Sequence, residues 1–90
     1  MEIRFHADAL ADLETFDKAL KFFFDKHIQK IAKMPPRRHL SHGIPCNVED
    51  VTKQARFVYK IKEGTLYVIR YFATHKEYEK WYLSFKNSSI

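Results

Sequence analysis

Residues 2–6 (EIRFH) alternate, with Ile3 and Phe5 offset from Glu2 and Arg4, which predicts a short strand. Asp8 is placed to cap a first short helix, in which Leu10, Leu13 and Phe16 recur at helical spacing. A second helix is expected from near Asp17. Leu20, Phe23, Phe24, Ile28 and Ile31 form its apolar stripe, and Lys18, Lys21, Lys26, Lys30 and Lys33 fall largely off it. Pro35–Pro36 stop that helix and open a connecting loop over 34–46, rich in Pro, Arg and His. Residues 47–51 suit a strand. Residues 55–62 and 65–73 are stronger strand signals, alternating and rich in β-branched and aromatic types. Glu63–Gly64 between them suits a two-residue turn. Thr74-His75-Lys76-Glu77 reads as a capping box, and a terminal helix follows with Tyr78, Trp81, Tyr82 and Phe85 on one side. The order strand, helix, helix, three strands, helix predicts an α+β fold: two helices on one face of a four-stranded antiparallel sheet, and a C-terminal helix.

A turn at Glu63–Gly64 fixes the hairpin register, and register fixes the faces. Lys62 then pairs with Thr65, Lys60 with Tyr67, Val58 with Ile69 and Arg56 with Tyr71, all on one face. The other face carries Phe57, Tyr59, Ile61, Leu66, Val68, Arg70 and Phe72. It is almost wholly apolar and is expected to pack on the two N-terminal helices, with Arg70 reaching the sheet margin. The first face is left open, with Arg56, Lys60 and Lys62 among tyrosines. Basic groups interleaved with rings suit RNA, though a solvated strand face looks much the same. The terminal helix begins a few residues after Tyr71, so a compact cluster of Arg56, His75, Lys76, Tyr78 and Tyr82 is predicted.

Ninety residues make one domain, 1–90, with a modest core. The formal charge of +5 favours anionic partners, such as RNA, DNA or an acidic protein, although solubility alone accounts for many such charges. Cys46 is the sole cysteine, so no internal disulfide forms and a reducing compartment fits. Neither a signal peptide nor a membrane span is read at the N-terminus, so a cytoplasmic protein without membrane contact is expected. His39 and His42 stand at H-x-x-H in the basic loop. With Cys46 the one further ligand type nearby, a solvated or phosphate-contacting loop is preferred to a metal site, and no cofactor is expected. His6 and His27 read as structural or surface residues.

The layout, and the segment RFVYKIKEGTLYVIRYFATHKEYEKWY, resemble RelE/ParE superfamily toxins. Arg56-Phe57-Val58-Tyr59 matches their R-x-x-Y strand, IRYFA resembles their last strand, and Thr74-His75-Lys76-Glu77-Tyr78 resembles the T-H-x-E-Y element of HigB-type members. The motifs lie within residues 55–82. The resemblance implies a βααβββα fold and a toxin that cleaves messenger RNA, usually on the ribosome, and is neutralised by an acidic antitoxin. Residue by residue, Arg56 falls on the strand arginine that stabilises phosphate charge, Lys76 on a C-terminal arginine, Tyr82 on the C-terminal catalytic tyrosine and His75 on the HigB-type histidine. Where the family has lysines ahead of the strand arginine this chain has Glu49 and Asp50, with Lys53 an approximate replacement. The general base stays open between His75, whose unperturbed pKa of about 6.5 lies close to neutral, and Tyr82. Lys53, Lys60, Lys62, Arg37, Arg38 and Tyr78 are the expected RNA contacts.

The bland readings stand beside these. His75 taken alone is an ordinary residue at a helix start, and Trp81 and Phe85 dock the last helix. Two other functions share the layout: a ParE-like toxin that binds DNA gyrase and is not a nuclease, and a degenerate binding module without catalysis.

Overall fold

The computed structural model describes residues 1–35 and 46–88, with side chains through residue 85. Its elements are β1 (Glu2–Phe5), α1 (Ala7–Glu14), α2 (Lys18–Lys33), β2 (Asn47–Asp50), β3 (Arg56–Lys62), β4 (Thr65–Phe72) and α3 (His75–Ser88). The α+β order is the expected one.

Each helix start has a side-chain acceptor. Asp17 Oδ1 accepts from the Leu20 amide at 2.8 Å and caps α2. Thr74 Oγ1 accepts from the Glu77 amide at 3.1 Å and caps α3. The cap of α1 is His6 rather than Asp8: His6 Nδ1 accepts from the Asp8 amide at 3.1 Å. The reason is the strand before it. The His6 amide still donates to the Val68 carbonyl, at 2.9 Å, so His6 alone joins β1 to the helix. Asp8 instead places its charge in the first turn, where the helix dipole favours it.

The sheet order is β1-β4-β3-β2. It is mixed rather than purely antiparallel, because β1 runs parallel to β4. The β3–β4 turn has positive φ at both central residues, 50° at Glu63 and 76° at Gly64, which matches the twist of paired strands. Lys62 faces Thr65 and Lys60 faces Tyr67, as the turn requires. The register then slips. Tyr59 faces Val68 but Val58 faces Arg70, so Ile69 has no opposite residue and Arg56 ends beside Phe72 instead of Tyr71.

That bulge redistributes the core. Tyr71 turns towards α1 and α2, where it joins Ala9, Phe24, Ile28, Ile31, Phe57, Tyr59, Leu66 and Val68. Phe72 turns the other way and joins Val58, Cys46 and Tyr78, with Trp81, Tyr82 and Phe85 of α3 packed against them. The sheet face expected to be open is therefore covered around Arg56 by α3. One member of the predicted α2 stripe also falls outside the core: Phe23 is 47% exposed, on the flank of the face that Phe24, Ile28 and Ile31 bury.

Because β1 ends at Phe5, β4 beyond Val68 has no strand on that side. Asp12 of α1 fills the gap. Its carboxylate accepts from the Tyr71 amide at 3.0 Å and from Arg70 Nε and Nη2 at 2.7 and 3.1 Å. Arg70 thus reaches the sheet margin as expected, and its hydrogen bond to Asp12 raises its pKa further.

Candidate functional site

A tight bend sets Arg56 in place. The Val51 and Thr52 amides donate to the Ala55 carbonyl at 2.9 and 3.2 Å. Thr52 Oγ1 accepts from the Gln54 and Ala55 amides at 3.1 and 2.9 Å. This fixes the first residue of β3 just where α3 begins on the adjacent strand. The Arg56 guanidinium carbon lies 5.1 Å from the centre of the Tyr78 ring, a cation–π contact. Its Nη1 is 3.6 Å from Asp50 Oδ1 and its Nη2 donates to the Lys53 carbonyl at 3.5 Å. The side chain is only 14% exposed. Its buried Nε has no hydrogen-bond partner among the described residues.

Tyr78 is the hub. Its ring stacks on Tyr82 at 6.2 Å between centroids, meets Phe72 edge-on at 5.7 Å, and has the His75 ring 6.4 Å away. Burial raises the Tyr78 hydroxyl pKa by more than the Arg56 charge lowers it, so this phenol stays neutral near pH 7 and is no base. The His75 amide donates to Gln54 Oε1 at 3.1 Å, tying the start of α3 to the bend before Arg56. Its ring Nε2 lies 3.3 Å from Glu79 Oε2, one helical turn on. His75, Tyr78, Glu79, Tyr82 and Leu83 line an open cleft of about 350 Å³.

Arg56, His75, Tyr78 and Tyr82 are therefore brought to one place. Lys76 is not. It is exposed, and one step along a helix turns a side chain by about 100°. That places it on the side of α3 away from the sheet, opposite the stripe that Tyr78, Trp81 and Phe85 bury. Lys53, Lys60 and Lys62 are exposed. Lys53 offers its carbonyl to Arg56. Lys60 and Lys62 share the Arg56 side of β3, about 13 and 20 Å along it at the usual strand rise. Arg37, Arg38, His39 and His42 lie outside the described residues.

The sequence reading missed three participants. Glu79 could have been found as the i+4 partner of His75. Gln54 and Asp50 carry no such signal, because their roles depend on the bend and on the β2–β3 pairing. Among the described residues no three His, Cys, Asp or Glu side chains gather as a metal site. His27 is paired across elements with Glu49, at 3.0 Å, which fits its structural reading. Cys46 is buried, and burial pushes its thiol pKa up, away from nucleophilic use.

No family model and no curated protein matches this sequence. Solved structures do match. The isolated RelE toxin of Escherichia coli superimposes with a TM-score of 0.70 at 15% identity, over 93% of this chain and 97% of that one. A chain of the intact E. coli RelBE toxin–antitoxin complex gives 0.70 at 15% identity, over 82% of this chain and 96% of that one. A metal-bound toxin from Helicobacter pylori gives 0.66 at 25% identity, over 86% and 97%. The chain has the fold of the RelE-like toxins.

Proposed function

We propose that this protein is the toxin of a type II toxin–antitoxin pair and a metal-independent endoribonuclease acting on messenger RNA at the ribosome. The fold supports the toxin reading. The observation that carries the nuclease reading is the gathering of Arg56, His75 and Tyr82 around the Tyr78 ring, with His75, Tyr78 and Tyr82 lining an open cleft.

RNA brings its own nucleophile. The 2′-hydroxyl attacks the adjacent phosphorus, its proton passes to the His75 imidazole, and the bond to the 5′-oxygen breaks. The leaving oxygen takes a proton from the Tyr82 phenol. The products are a 2′,3′-cyclic phosphate and a 5′-hydroxyl. Arg56 holds the phosphate and the charge that builds on it, since a guanidinium stays protonated and binds phosphate through two donors. The Tyr82 ring offers a face for a base. Lys76, on the outer side of α3, and Lys53, Lys60 and Lys62, along the bend and strand, meet flanking phosphates, as do Arg37 and Arg38. An acidic antitoxin is the protein partner, and the cytoplasm is the compartment. No described helix is long and apolar enough to cross a membrane.

One observation favours a second reading. Asp50 and Glu79 already sit against Arg56 and His75, as in a module that keeps the fold and has lost the chemistry. Incubating the purified protein with ribosomes and message, with a chelator present, separates the two. Cleavage yielding cyclic-phosphate ends supports the nuclease. Intact message from folded protein overturns it, and a parallel gyrase supercoiling assay identifies the ParE-like alternative.

A further inference from the structure

The sheet face that carries Arg56 is covered by α3 around Val58 and Phe72, and Ile69 packs with that cluster. Nearer the hairpin turn the face is open. Register sets one row of side chains there: Tyr67 of β4 stands between Arg4 of β1 and Lys60 of β3. Leu66 and Val68, its neighbours in β4, are fully buried towards α1 and α2, so strand alternation turns Tyr67 to the other face. Tyr67 is 37% exposed, and Arg4 and Lys60 are exposed beside it. The row lies about 13 Å along β3 from Arg56 at the usual strand rise. Lys62 follows in the next row, opposite Thr65.

Tyr67 differs from the other tyrosines. The chain has five. Tyr59, Tyr71, Tyr78 and Tyr82 each lie against another aromatic ring. Among the described residues Tyr67 lies against none. Its neighbouring cations do not cover it either. Lys26, Arg56 and Arg70 each sit over a ring, whereas Arg4 turns to the Glu2 carboxylate at 2.9 Å.

We propose that Tyr67, flanked by Arg4 and Lys60, is a base-stacking subsite for single-stranded RNA that runs along the open sheet from the Arg56 site. Every nucleobase has a face that can stack on a ring, so the subsite needs no particular sequence. The phosphates on either side of that base meet the two cations. Residues directly opposite on paired strands hold their Cβ atoms about 5 Å apart, so both cations reach around one stacked nucleotide. Glu2 is the acid on this face. Its pair with Arg4 has side chains 63% and 57% exposed, so solvent screens it and a phosphate can take its place. Charge argues against the other occupants. A second copy would bring Arg4, Lys60 and Lys62 against themselves. An acidic peptide would use the cations and leave the ring idle. The inference rests on the nuclease reading for the identity of the ligand, and it adds a dependence on length: a strand too short to span from Arg56 to Tyr67 gains nothing from the subsite.

The probes are two 2′-O-methyl RNA strands, which lack the nucleophile: a dinucleotide and a longer single strand. Each is added to the isotopically labelled full chain and followed by amide chemical shifts and fluorescence anisotropy. The longer strand should move the resonances of Arg4, Lys60 and Tyr67, and its affinity should fall about tenfold in a Tyr67→Thr variant. Threonine suits an exposed strand position, so circular dichroism should show that variant folded. Tyr67→Phe should bind as wild type does, because stacking needs the ring and not the hydroxyl. Arg4→Gln should lower the salt dependence by about one counterion. The dinucleotide should bind wild type and Tyr67→Thr equally. Equal binding of the longer strand by Tyr67→Thr, a loss in Tyr67→Phe as large as in Tyr67→Thr, shifts absent from β1 and β4, tighter binding of a glutamate-rich peptide at this row, or self-association through it would each overturn the proposal. Cleavage of unmodified RNA by the same proteins keeps the two questions apart. Binding that depends on Tyr67 without any cleavage sinks the nuclease alone, and cleavage with binding indifferent to Tyr67 sinks the subsite alone.

Discussion

Replacing Asp12 by alanine removes three hydrogen bonds at once, and their loss can be apportioned. The Tyr71 amide, in a residue only 3% exposed, is left without an acceptor on the side where β1 has ended. Stranding a buried donor costs about 1–3 kcal/mol. The Arg70 guanidinium loses a two-pronged partner at 2.7 and 3.1 Å. With the two side chains 31% and 17% exposed, solvent screens the pair, and about 1 kcal/mol is a fair share for it. The total is about 3 kcal/mol, out of the roughly 5–15 kcal/mol that holds a domain folded. At about 4–8 °C per kcal/mol for a chain of this size, the midpoint should fall by roughly 12–24 °C. Urea unfolding of the wild type, Asp12→Ala, Arg70→Met and the double variant forms a cycle. The double variant should be about as unstable as Asp12→Ala alone, because the ion pair is lost only once and the amide loss is common to both. A fall of less than about 1 kcal/mol in Asp12→Ala would refute the view that this carboxylate substitutes for a missing strand.

Three further outcomes follow from the same geometry. Gly64→Ala, at φ 76°, should cost about 1 kcal/mol through backbone strain alone, since nothing stands within 4 Å of the added carbon; thermal melts check it. Asp50→Asn should tighten binding of a non-cleavable 2′-deoxy RNA analogue in fluorescence anisotropy, because the carboxylate 3.6 Å from Arg56 competes with phosphate; unchanged or weaker binding would count against Arg56 as the phosphate site. Burial raises the pKa values of both Tyr71 and Tyr78. The stability this contributes is fully present below the unfolded tyrosine value of about 10 and is lost as pH rises from there through the raised folded values. Urea midpoints should therefore drop above about pH 10, and less steeply in a Tyr78→Phe variant.

Much of the architecture was legible because local signals agreed. Asp17 and the paired prolines mark the start and stop of α2. The Glu63–Gly64 turn fixes the hairpin, and Thr74 with Glu77 marks the start of α3. The grouping of Arg56, His75, Tyr78 and Tyr82 followed from turn and helix geometry. Four things were not legible, each for a physical reason. The bulge at Ile69 leaves no mark in the run Ile69-Arg70-Tyr71-Phe72, where aromatic residues suit either face, so Tyr71 and Phe72 were exchanged. Alternation in β1 shows that a strand exists but not its direction, so the parallel pairing with β4 was missed. A capping box announces where a helix begins but not which flank each residue takes. Lys76 was therefore grouped with His75, although one helical step carries it to the far side. The carboxylate of Asp50 was not legible either, because its significance lies in what the β2–β3 pairing sets it beside; Glu79 was open to reading as the i+4 partner of His75.

Single-turnover cleavage of ribosome-bound message, compared among the wild type, Arg56→Ala and His75→Ala, bears most directly on the nuclease claim. The account predicts cyclic-phosphate products from the wild type and a loss of at least about a hundredfold in each variant, with circular dichroism unchanged. A folded Arg56→Ala protein that cuts at the wild-type rate would contradict it.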